Sequence, residues 1–116
     1  MDLATWKTKL LWAQQNLMST ETALGDLRKR LVRTRELRDR NLRYRRELAD
    51  HLREAPQLKQ HIEAEQAERM RELAGLDATC ASTSESLNKL HDLFWIQKRE
   101  VAELEEWIRR LGGAGS

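Results

Sequence analysis

The chain has 116 residues and a net charge of +2, with 34% of its residues charged and only one Pro, five Gly and one Cys. Six aromatic residues, four of them Trp, leave too little bulk for a mixed globular core, and a lone Cys80 rules out an internal disulfide framework and suits a reducing compartment. No apolar run approaches the roughly 18 residues of a membrane span, and the opening Met1-Asp2-Leu3-Ala4-Thr5-Trp6-Lys7 lacks the basic and apolar regions of a secretory signal.

From Leu3 onward a single heptad frame runs to Leu111 without a skip. The a sites include Leu3, Leu10, Leu17, Leu24, Leu31, Leu87, Phe94, Val101 and Ile108. The d sites include Trp6, Ala13, Leu27, Leu48, Ile62, Leu90 and Leu104. Of 32 a and d sites, 22 are apolar, against 40% apolar residues in the whole chain. A 3.5-residue apolar repeat kept this long predicts an all-α, elongated coiled coil. Such a helix cannot bury its stripe alone, so association is the expected role. The coiled-coil region is 1–111, divided at Pro56 into 1–55 and 57–111, and 112–116 is expected to be a flexible Gly-rich tail.

Within the first half, Arg28 to Arg46 is the strongest local feature. It holds ten basic and two acidic residues, which leaves +8 there and −6 in the rest of the chain. Arg28, Lys29, Arg30 and Arg33 are the candidate contacts to nucleic-acid phosphates. Tyr44 is the only aromatic in the segment, so no stacking platform accompanies the charge, and a solvated face opposite an acidic helix is preferred. Some charges stand in the seam itself. Arg38, Arg45 and Lys59 occupy a sites, Asn41 and Arg69 d sites. In a parallel homodimer Arg38 would meet Arg38, so a different helical partner with acids opposite is expected.

Pro56 removes a backbone donor and clashes with the preceding turn. Its neighbours include no Gly, Asn or Ser to shape a tight turn. The heptad phase is the same on both sides, which favours a kinked, continuous helix. A fold-back would set the basic stretch against Glu63, Glu65, Glu68 and Glu72 and bring Trp6 beside Trp107. The phase argument carries more weight, and the extended form is expected. A second weak point spans Gly75 to Ser86, rich in poor helix formers.

Trp6 falls at d and Trp107 at g, in or beside the seam. Trp12 at c and Trp95 at b face outward, within the apolar runs Leu10-Leu11-Trp12-Ala13 and Leu93-Phe94-Trp95-Ile96. Apolar surface wider than a two-stranded seam predicts a further helix docking near both ends. The candidate partner-binding set is therefore Leu10, Trp12, Leu24, Leu31, Arg38, Asn41, Arg45, Leu87, Phe94, Trp95, Leu104 and Trp107. His51, His61 and His91 show no metal-binding or catalytic spacing, and there is no Gly-rich phosphate loop. No enzyme activity, cofactor, metal or small molecule is expected.

The Arg-rich stretch leading into Asn41, then Leu48, Leu52, Pro56 and Ile62, resembles the subunit 7 family of the THO complex, over residues 28–75. The resemblance implies a non-catalytic nuclear scaffold of the mRNA-export machinery that pairs along its length with another coiled-coil chain. The alternatives are a basic nucleic-acid-binding helix and a helical-hairpin chaperone or stalk protein of a secretion or motor assembly.

Overall fold

The structure, a computed structural model, describes residues 2–114. It is all-α. Helix α1 spans Leu3–Glu54 and helix α2 spans Lys59–Ala114, joined by a 3₁₀ turn at Pro56–Leu58, with no strand among the described residues. Asp2 caps α1. Its carboxylate accepts the Thr5 N–H at 2.9 Å and the Thr5 hydroxyl at 2.8 Å. The Thr5 amide holds the Asp2 carboxyl below its ordinary value.

The chain divides into two compact units, a terminal one (Met1–Leu27 with Ser86–Ser116) and a central one (Arg28–Glu85). In the central unit the chain folds back at Pro56, which overturns the extended helix expected from the preserved phase. Arg38 meets Asp77, Asn41 meets Arg69 and Tyr44 meets Glu65. Partners descend on α2 as they ascend on α1, so the pairing is antiparallel.

The turn dispenses with Gly and Asn because proline itself shapes it. Proline excludes the helical region at the residue before it, and Ala55 accordingly takes φ −132° and ψ 73°. The Ala55 N–H still donates to the His51 carbonyl at 2.8 Å, closing α1. The Leu58 N–H then donates to the Ala55 carbonyl at 3.0 Å, and the Lys59 N–H to the Pro56 carbonyl. Pro56 stands at the start of the 3₁₀ turn, where its missing N–H costs nothing.

The terminal unit is also an antiparallel pair. Trp6 stacks on Trp107 with ring centroids 6.1 Å apart and planes 10° from parallel. Thr20 donates its hydroxyl proton to Gln97 Oε1 at 2.6 Å. Its buried residues are Ala13, Thr20, Leu24 and Val101; those of the central unit are Leu31, Thr34, Asn41, Leu48, Ile62 and Thr83. All ten lie at a or d of the frame counted from Leu3.

Two further expectations change. Gly75–Ser86 does not interrupt α2. Its seam residues Leu76 and Cys80 are partly covered and Thr83 is buried, so packing overrides weak propensity. The Thr79 hydroxyl also donates back to the Gly75 carbonyl at 3.0 Å. Helix α2 continues past Leu111 to Ala114, and the rest of the expected tail, Gly115 and Ser116, lies outside the described residues.

A Cβ built on Gly75 meets nothing within 4 Å. Gly75→Ala is therefore expected to raise stability by roughly 0.5–1 kcal/mol in chemical denaturation. The stacked Trp6–Trp107 pair is expected to give an exciton couplet in circular dichroism that either Trp6→Phe or Trp107→Phe removes. Retention of the couplet in both variants would contradict the pairing.

Candidate functional site

The polar residues at a and d form a connected layer in the central unit. Asn41 is 4% exposed, and its Nδ2 donates to the Arg69 carbonyl at 2.9 Å and to Glu72 Oε1 at 3.4 Å. Gln66 makes the reciprocal bond, Nε2 donating to the Arg45 carbonyl at 2.9 Å, while Arg45 Nε donates to Gln66 Oε1 at 3.4 Å. Each helix thus sends an amide side chain across to a backbone carbonyl of the other. Arg69 turns out of the seam to Glu72 at 2.7 Å and Glu68 at 3.5 Å, with its guanidinium 5.9 Å from the Tyr44 ring centroid. Tyr44 donates its hydroxyl proton to Glu65 Oε1 at 3.1 Å.

The seam charges that pointed to a foreign partner therefore meet groups of their own chain. Arg38 lies 3.6 Å from Asp77, and Lys59, exposed at the turn, pairs with Glu63 at 3.9 Å. Asn41 Oδ1 and Arg69 Nε are buried without a hydrogen-bond partner, so the layer carries a cost. That cost is about 1–3 kcal/mol per orphaned group. Such a layer serves to choose one register over its neighbours.

The aliphatic residues expected to bind a partner are largely used within the chain. Leu24 and Leu31 are buried, and Leu10, Leu87, Phe94 and Leu104 are half-buried. Trp12, Trp95 and Trp107 remain outside, at 67%, 54% and 50% exposure. Of fifteen exposed large apolar residues, nine belong to the terminal unit. On α2 they join an aromatic cluster. Phe94 meets Trp95 edge-on at 5.5 Å, His91 lies 6.2 Å and 6.4 Å from those two rings, and the Lys98 ammonium sits 5.6 Å and 5.1 Å from them. Ile96, next to Trp95, is 62% exposed.

The outer face of α1 in this unit went unnoticed in the sequence as a pattern. From Ala4 to Gly25, up to the first charge at the next c site, Asp26, its b, c and f sites are Ala4, Thr5, Thr8, Leu11, Trp12, Gln15, Met18, Ser19, Thr22 and Gly25, none of them charged. At the chain-wide share of 34%, about three would be. Two open grooves run along this face, one lined by Ala4, Thr5, Thr8 and Trp12 with Asp2 and Lys9 at its edge, the other by Gln15, Met18, Ser19 and Thr22. In the central unit the same sites from Lys29 to Glu54 are charged in eleven of twelve cases, Val32 being the exception. Reading b, c and f as a stripe of their own would have revealed the contrast.

Arg28, Lys29, Arg30 and Arg33 are all exposed. Acids share the outer face with the last of them, Glu36 lining the same shallow groove as Arg28, Lys29, Val32 and Arg33. Among the described residues no group of three or more His, Cys, Asp or Glu could hold a metal ion, and no helix is long and apolar enough to cross a membrane. Comparison of this chain with protein-family models, with curated proteins and with solved structures finds no match.

The hydrogen bond to Glu65 raises the Tyr44 pKa above that of an ordinary tyrosine. A raised folded-state value means that this contribution is fully present below the unfolded-state value and is lost as pH rises through the folded one. Tyr44 is the only tyrosine. Tyrosinate absorbance is expected to report the raised value directly, and Glu65→Gln to bring it down. An unchanged midpoint in the variant would exclude the Tyr44–Glu65 bond in solution.

Proposed function

We propose that this chain is a non-catalytic structural subunit of a multiprotein assembly. It presents the terminal unit to a helix of a different protein. The observation that supports this is the exposed apolar surface of that unit, centred on α2 at Trp95 and Ile96. Trp is a favoured anchor at interface centres, and an apolar patch rimmed by charge is the usual mark of a docking surface. The central unit contributes rigidity and register through its internal polar layer. Because Arg38, Asn41, Arg45 and Arg69 find groups of their own chain, the proposed partner docks on the outside instead of completing the seam.

The resemblance of residues 28–75 to the THO subunit 7 family makes a nuclear mRNA-export assembly the specific form of this reading. The fold-back at Ala55–Leu58 favours, as a second reading, a hairpin component of a secretion or motor assembly. Both assign binding to the same exposed apolar residues. They separate on the identity of the proteins that co-purify.

Trp95→Glu combined with Ile96→Lys is expected to leave helicity unchanged, since both sites are exposed. It is expected to strip a helical partner from the affinity-purified tagged chain, by tenfold or more if Trp95 is an anchor worth about 2 kcal/mol. An unchanged set of co-purifying proteins would reject the α2 surface as the docking site.

A further inference from the structure

The uncharged outer face of α1 is separate from the α2 aromatic cluster, and its own pattern indicates what covers it. The face runs from Ala4 to Gly25, about 33 Å at 1.5 Å per residue. Its apolar residues are well exposed, Leu11 at 53%, Trp12 and Met18 at 67%. Small Thr, Ser, Ala and Gly residues lie between them and let another helix approach closely. Loss of charge with aromatic and Met enrichment is the composition of an interface core.

The charges beside this face are arranged with a sign reversal along the helix. The reversal lies in the e row, where Lys7 flanks the N-terminal half and Glu21 the C-terminal half; on the g row Asp2 precedes Lys9, and Asp26 closes the face at c. Lys7 and Glu21 form no ion pair among the described residues, whereas other exposed charges of the chain do, such as Glu106 with Arg109 and Arg110. A helix with positive flanks at one end and negative at the other is complementary to itself when turned end for end. Lys7 and Glu21 are both e residues, two heptads apart. In an antiparallel pair of identical helices, residues of the same heptad letter meet across a two-fold axis. An axis near Gln15 sets Lys7 against Glu21 of the second copy, Leu11 against Met18, and Thr8 against Thr22. It also seats Trp12 over Ser19, the largest side chain over one of the smallest.

We infer that this face of α1 binds a second copy of the chain, forming a two-fold antiparallel dimer through the outer face of each terminal unit. The inference rests on the reading of that unit as a docking element and names the occupant of its α1 side. Symmetry makes every contact occur twice, so each favourable charge pair counts double. Dimerisation through a face this short is expected to depend on concentration.

The test is sedimentation equilibrium of the purified full chain and three variants. The wild type is expected to dimerise. Lys7→Glu alone, or Glu21→Lys alone, turns two attractive pairs into two repulsive ones and is expected to weaken the dimer about tenfold at low salt. The double variant Lys7→Glu with Glu21→Lys restores both pairs and is expected to recover dimerisation. None of these substitutions touches the seam, and helicity serves as the folding control. A monomer at all concentrations would overturn the inference. So would a dimer indifferent to the single swaps, or one that the double swap fails to rescue. Trp95→Glu with Ile96→Lys is expected to leave this dimer intact. Failure here and failure of the proposed function are thereby told apart.

Discussion

Everything in this molecule follows from the need to cover one stripe on each helix. A long α-helix with residues repeating every 3.5 positions exposes a continuous band that water penalises, at roughly 25 cal/mol per Å² of apolar surface. A chain that bends back on itself covers that band without waiting for a partner. The ten buried residues all belong to the stripe, and none sits elsewhere on either helix. The core is one side chain deep, so it leaves the outer faces free to differ from one another in purpose.

The seam is not uniformly apolar, and this shapes the central unit. Four of the ten buried residues, Thr20, Thr34, Asn41 and Thr83, are polar, and all four lie at d. Thr34 returns its proton to its own helix, at the Arg30 carbonyl at 2.9 Å, whereas Thr20 sends its own across to Gln97. Asn41 and Gln66 behave differently, reaching across to the opposite backbone. A slip by one heptad would set Asn41 against Ile62 or Leu76 and part it from Glu72, while an aliphatic seam would barely register the change. The layer trades some stability for a single alignment. Within the basic stretch Arg38 finds its compensation across the seam in Asp77, while Asn41 and Tyr44 bond Glu72 and Glu65.

On the outside the two units differ in chemistry. Charge covers the outer face of α1 in the central unit almost completely, which keeps it in water. In the terminal unit the equivalent sites carry no charge from Ala4 to Gly25, and α2 offers Trp95 and Ile96. Such surfaces would be an aggregation hazard without occupants. Their concentration on the terminal unit is what supports the proposed association.

The amino-acid pattern determined the helices and the buried set by itself. Period and phase are local properties, and the frame counted from Leu3 reaches every buried residue. It also pointed to Trp12 and Trp95 as outward anchors, because a site's letter in the heptad sets its direction. The direction of the chain at Pro56 was decided only by tertiary structure. A preserved phase is compatible with a kinked helix and with a hairpin alike, and the bias of Ala55 toward extended backbone becomes a reversal only when two stripes meet. The partners of Arg38, Asn41, Arg45 and Arg69 were hidden for the same reason. Asp77, the Arg69 carbonyl and Gln66 lie some 20 to 40 residues from Arg38, Asn41 and Arg45, and the antiparallel pairing alone brings them within reach.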